Sequence, residues 1–197
     1  MTLDLLAALV GFAFVTSVTP GPNNMMLLAS GANFGFRRSV PHMLGISLGH
    51  ALMVFLVGMG LAQVFAALPL LGLALKIGSV IYMLWLAWKI AHAAAPQEGS
   101  VGGRPFSFLQ AAAFQWVNPK AWAMALTAVT VYAAGQSGVA MLTVAVVFAM
   151  VNLPSVSVWT IAGQQVRRWL TTHRRLQVFN WTMAGLLVVS LWPVLRA

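Results

Sequence analysis

Four long stretches of this chain carry no charged residue: residues 5–36, 39–75, 121–166 and 176–195. A helix needs about 20 mostly apolar residues to cross the hydrocarbon layer of a bilayer. Every one of these stretches reaches that length, and the second and third leave room for a pair of crossings joined by a turn. Two further apolar stretches are each interrupted by one lysine, Lys76 or Lys120. Charged residues make up 7% of the chain, against about 25% in an ordinary soluble domain, so there is too little charge to coat a water-facing surface. The fold class this implies is an all-α membrane protein.

Six transmembrane helices are expected, over residues 4–30, 42–65, 70–92, 107–132, 139–163 and 176–195. Turns at residues 66–69 and at the Gly-containing 134–138 split the two longest stretches. The chain opens Met-Thr-Leu-Asp, with acidic Asp4 where a secretory signal would be basic, and the apolar run continues past the length of a signal core. The N-terminus is therefore expected to remain as part of the first span.

The net charge of +9 sets topology and does not point to nucleic acid. Arg37 and Arg38 lie between spans one and two. Lys89 and Arg104 flank the connection between spans three and four, and Arg167, Arg168, Arg174 and Arg175 lie between spans five and six. The opposite side carries Arg196, Asp4 and two uncharged turns. By the positive-inside rule the basic loops are cytoplasmic, so both termini are expected outside the cytoplasm. Segment 94–106 is the only linker-like stretch. It divides a single transmembrane domain, 1–197, into three-span halves, 1–93 and 107–197. Halves with an odd number of spans have opposite orientations, so any structural repeat is an inverted one.

Helix breakers mark corresponding places in the two halves. Thr19-Pro20-Gly21-Pro22-Asn23-Asn24 lies well inside span one, and Asn118-Pro119-Lys120 lies inside span four. Proline removes a backbone donor and clashes with the preceding turn. Backbone groups freed in hydrocarbon are tolerated only against protein or a watery cavity. One half-helix is expected to end near Val18 and another to begin near Pro22, with Asn118 and Pro119 restarting a helix as N-cap and first residue. Paired breaks of this kind point to a binding site. A restarting helix offers N–H groups and positive dipole to a carboxylate, and a terminating one offers carbonyls to an ammonium. Thr19, Pro20, Gly21, Pro22, Asn23, Asn24, Asn118, Pro119 and Lys120 are the expected substrate-binding residues. Asn152-Leu153-Pro154 in span five reads as a plain kink.

Lys120 has two readings: a partner for a substrate carboxylate, or a structural cation bonded to half-helix carbonyls. Lys76 is placed to snorkel and Lys89 to anchor its span. His50 reads as a buried, satisfied histidine, with a proton relay involving His50 and Asp4 as the alternative. His42, His92 and His173 read as loop or boundary residues. Gly45 and Gly49 place two small residues on one helix face for close packing, within the chain or between copies. Trp85, Trp88, Trp169 and Trp192 read as interfacial anchors.

Cysteine is absent, which removes disulfides, thiolate metal sites and thiol redox chemistry. No cluster of acids or paired histidines suggests a metal, a haem or another cofactor, and no catalytic constellation is recognisable. No enzyme activity is expected.

TPGPNNMMLLASGANFGFRRS (19–39), MLGISLGH (43–50), YMLWLAWKIA (82–91), AFQWVNPKA (113–121) and WTIAGQQVRR (159–168) together resemble the LysE/RhtB family of amino-acid exporters. The resemblance is greatest to its cysteine/O-acetylserine branch. It implies six spans, export of small amino acids from the cytoplasm across a bacterial-type inner membrane, proton drive and homodimers. Apart from Asp4 at an outer end, the spans hold no acid that could pair with a basic substrate side chain, which favours neutral substrates of the cysteine/O-acetylserine or homoserine/threonine type. The alternatives are a basic amino-acid exporter and a non-transporting accessory membrane subunit.

Overall fold

The computed structural model describes residues 1–92, 104–133 and 137–192, and these are helical with no strand among them. The helices are α1 (Leu3–Val18), α2 (Pro22–Phe34), α3 (Phe36–Leu56), α4 (Ala62–Ala67), α5 (Pro69–Ala91), α6 (Phe108–Phe114), α7 (Pro119–Tyr132), α8 (Gly138–Arg167) and α9 (His173–Val189). A π-helical turn, Val57–Leu61, joins α3 to α4, and a short 3₁₀ turn, Gln115–Val117, follows α6.

Three helical segments are long and apolar enough to cross a bilayer alone: Phe36–Val64, Gly72–Ala91 and Gly138–Arg167. α1 and α2 meet the same requirement together, bent by 57° at their junction. That makes three spans, or four with the bent pair counted as one, against the six expected. The remaining two segments fall short for local reasons. α7 has 14 residues because its span is interrupted at Asn118, and α9 has 17 and opens on His173-Arg174-Arg175.

The first break lies where the prolines put it, with α1 ending at Val18 and α2 beginning at Pro22. α7 begins at Pro119 with Asn118 as its N-cap. α8 runs unbroken from Gly138 to Arg167 with Pro154 inside it. The first expected turn is present, α4 ending at Ala67 and α5 beginning at Pro69. Residues 134–136 of the second turn, and 94–103 of the linker, lie outside the described residues.

Small residues set the closest helix approaches. A Cβ at Gly31 would overlap the carbonyl oxygen of Thr160, and one at Gly163 would overlap that of Leu28, so α2 and α8 touch backbone to backbone. Gly45 and Gly49 lie against α6 within the chain: a Cβ at Gly49 would come within 2.6 Å of Ala112 Cα, and one at Gly45 would meet the carbonyl oxygen of Phe108. Gly35 links α2 to α3 at φ 78° and ψ 172°, a conformation close to exclusive to glycine. It lets α3 start at Phe36, and this corrects the placing of His42 at a boundary: His42 lies within α3 and is buried.

The basic loops gather at one end of the bundle. The Phe36 N–H donates to Gln164 Oε1 at 3.3 Å, joining the start of α3 to the end of α8. Arg37, Arg38 and Arg104 line one cleft. At the other end Tyr132 Oη donates to the Ala8 carbonyl at 3.4 Å, joining the end of α7 to α1. Trp85, Trp88, Trp169 and Trp192 are all exposed, as interfacial anchors require.

Candidate functional site

The end of α1 leaves carbonyls that no following helical turn can satisfy. Side chains from three other places along the chain take up that role. Thr19 Oγ1 donates to the Thr16 carbonyl at 3.1 Å, and Asn24 Nδ2 donates to the carbonyls of Ser17 at 2.9 Å and Thr19 at 2.7 Å. Trp159 Nε1 reaches the Val18 carbonyl at 3.0 Å from α8. The Lys120 ammonium, from the first turn of α7, donates to the Thr19 carbonyl at 2.7 Å, to Thr19 Oγ1 at 2.9 Å and to the Pro20 carbonyl at 3.3 Å. The two breaks therefore meet in space. The ammonium on these carbonyls is the chain's own lysine, which fills the place the sequence offered to a substrate ammonium.

Lys120 reaches this position across Gly21. A Cβ there would come within 2.7 Å of Lys120 Cδ, so a larger residue would displace the lysine side chain from this path; the extended backbone at Gly21 suits any residue. Asn118 Oδ1 accepts the Lys120 N–H at 3.1 Å and fixes the first turn of α7. A second link joins the breaks: Asn23 Nδ2 donates to Gln115 Oε1 at 2.9 Å, and Gln115 Nε2 returns a bond to Asn23 Oδ1 at 3.2 Å.

Around this junction lies a small cavity of about 20 Å³. Five expected site residues line it, Gly21, Asn23, Asn24, Asn118 and Lys120, together with His50 and with Thr16, Ser17 and Asn152. Thr19, Pro20, Pro22 and Pro119 shape the backbone around it and are not in its lining. Asp4 is not brought to it either; it sits exposed in the first turn of α1, where an acid complements the helix dipole. His50 is buried and packs edge-on to Phe148 at 5.2 Å, and neither of its ring nitrogens has a partner. It is thus buried but not satisfied, unlike the first of its two sequence readings.

The cavity has a positive character. The first turns of α2 and α7 both border it, and α2 has proline at its first position and no side-chain cap, so its leading N–H groups are left over. The Lys120 charge adds to this field, and no carboxylate lines the cavity. Its volume admits about one water molecule, so the space at the site as it stands is smaller than an amino acid.

Sequence reading missed Gln115, Ser17 and Trp159, and took Asn152 only as part of a kink. Asn152 donates to Ser17 Oγ at 3.3 Å and accepts from Ser47 Oγ at 3.1 Å, tying α8 to α1 and α3. Gln115 and Asn152 had a signal, since an amide in an apolar run is costly to bury unpaired. Ser17 and Trp159 had none.

The chain is a helical membrane protein with a polar cavity where two interrupted helices meet. The LysE type translocator family matches residues 14–191, and the chain belongs to that family. It is 33% identical over 191 residues to the cysteine/O-acetylserine efflux proteins of Escherichia coli (strain K12) and Shigella sonnei (strain Ss046), covering 95% of this chain and 96% of each relative. The efflux protein of that name from Escherichia coli O139:H28 is 33% identical over 178 residues, 89% of this chain and 90% of the relative. No solved structure gives a significant match. LysE-type translocators are transporters and not enzymes.

Proposed function

We propose that this protein is a secondary exporter of small neutral amino acids or their derivatives, of the cysteine/O-acetylserine or homoserine/threonine type, working from the cytoplasm across a bacterial inner membrane. The observation that carries this reading is the junction of the two breaks. The leading N–H groups of α2 and the Lys120 ammonium supply one positive pole for a substrate carboxylate, and the lining provides no acid for a basic side chain. The name carried by the matched relatives supports the same substrate class.

Six membrane segments then form two inverted halves, with α1–α2 and α6–α7 as the broken first segment of each. The gathering of basic loops at one end supports a cytoplasmic placing of that end and external termini. His50 is the proposed proton carrier, because it shares the cavity and both of its ring nitrogens are open to a new partner. Transport requires the cavity to widen, exchanging the closed state for one that admits substrate.

Counterflow in liposomes tests the substrate class. Labelled O-acetylserine and homoserine are expected to accumulate against their unlabelled forms, and lysine is not. Equal accumulation of lysine would contradict the neutral-substrate reading.

A further inference from the structure

Five buried polar atoms among the described residues lack a hydrogen-bond partner, and they belong to three side chains: Asn33, His42 and His50. His50 lines the small cavity between the breaks. Asn33 and His42 line a second cavity of about 660 Å³, bordered also by Lys89, Arg104 and Phe106. Buried polar atoms normally find a partner, and those that do not mark places where something else supplies it. The unmet hydrogen-bonding capacity is therefore confined to the walls of two cavities, one too small for an amino acid and one within the usual range for small-molecule sites.

The larger cavity has a definite chemistry. The Lys89 ammonium is held over aromatic faces, 5.2 Å from the Trp85 ring and 5.5 Å from the Phe106 ring, and Arg104 adds a second cation. Asp4 is the only acid among the described residues and lies on α1, so neither cation has a described carboxylate beside it. Asn33 Nδ2 is committed to the Ala29 carbonyl at 2.8 Å and Asn180 Oδ1 at 3.2 Å, while its own Oδ1 accepts nothing. A guest that matches these walls has an anionic group for Lys89 and Arg104 and, once the wall shifts to uncover the buried Asn33 Oδ1, a donor for it. A zwitterionic α-amino acid carries both.

The two cavities share α2. Asn23 and Asn24 face the small one, and Met26, Ala29, Ser30 and Asn33 face the large one. Asn23, on the wall of the small cavity, pairs with Gln115, and Met26 and Leu86, on the wall of the large one, pack in one cluster with Phe114. We propose that the larger cavity is a loading vestibule on the cytoplasmic side, where Lys89 and Arg104 capture the carboxylate of a small amino acid before the barrier between the cavities opens. This deepens the export reading and rests on it for direction and for the choice of O-acetylserine.

The chain has no cysteine, so a single introduced thiol can be labelled without background. Ala29→Cys, on the vestibule wall, is treated with a small membrane-impermeant thiol reagent in inside-out vesicles. O-acetylserine is expected to slow labelling, and O-acetylethanolamine, which lacks the carboxylate, is not. Lys89→Gln with Arg104→Gln should abolish the protection and raise the KM of export about tenfold with kcat within about twofold, the size expected for lost charge-assisted bonds. Lys89→Arg should restore part of the affinity. Absence of labelling, labelling indifferent to O-acetylserine, or equal protection by the carboxylate-free amine would overturn the vestibule. Labelling needs no turnover, so protection without export would remove the export reading alone, and export without protection would remove the vestibule alone.

Discussion

The Lys120 ammonium lies 2.7 Å from the carbonyl oxygen of Thr19, a bond across 101 residues of sequence that joins the second helix break to the first. It turns the exposed end of one half-helix into a partner for the start of another. The same charge borders the cavity, so the structural role seen here and the substrate-facing role proposed above fall to one atom.

Replacing Lys120 tests both roles. Lys120→Met leaves the Pro20 carbonyl without its donor and the Thr19 carbonyl with Asn24 alone. Loss of hydrogen bonds from a charged donor is expected to cost about 2 kcal/mol, read as a lower thermal unfolding midpoint of the purified protein. Lys120→Arg should recover part of that stability and part of transport. The Met variant that survives should bind amino acids more weakly, with binding of carboxylate-free amines unchanged. Undiminished amino-acid affinity would leave Lys120 a structural cation only.

The Asn23–Gln115 pair is a second bridge between the breaks, with bonds of 2.9 and 3.2 Å. A double-mutant cycle with Asn23→Leu and Gln115→Leu should give a coupling energy of about 1 kcal/mol in thermal stability. Additive single effects would show that the pair does not hold the halves together.

The breaks were legible in the sequence because their cause is local. Pro20, Pro22 and Pro119 each lack a backbone donor wherever they lie, and Asn118 caps the residue two positions later. What Lys120 binds was not legible, since both of its readings satisfy the same charge and only tertiary contact separates them. His42 was misplaced for a related reason. Arg37-Arg38-Ser39 has the composition of a loop, yet Gly35 at φ 78° starts the helix before them and carries His42 into the interior. The basic loops gather at one end, in keeping with the charge pattern, while the side of the membrane that end faces is read from composition alone.

Gly31 and Gly163 meet the opposite backbone directly, so neither site has a flexible side chain that can yield. Gly31→Ala and Gly163→Ala should each force α2 and α8 apart and lower the yield of folded protein, by the 1–3 kcal/mol typical of overpacking or more. Gly78→Ala, where a Cβ meets nothing within 4 Å, is the matched control and should be near neutral. Thermal midpoints of the three purified variants make the comparison.

The proposed external termini rest on the positive-inside reading of the basic loops. A C-terminal fusion to a reporter active only in the cytoplasm should stay silent in correctly inserted protein, and one active only outside should report. A strong cytoplasmic signal would reverse the direction assigned to the vestibule and to transport.

The central claim is that a small amino acid passes through the junction of the two breaks. Counterflow of labelled O-acetylserine in liposomes, comparing the native chain with an Asn23→Leu, Asn24→Leu double variant of verified insertion, tests it most directly. The native chain is expected to accumulate the label and the variant to lose that accumulation. Full accumulation by the double variant would place the substrate path elsewhere and reduce the first break to a kink.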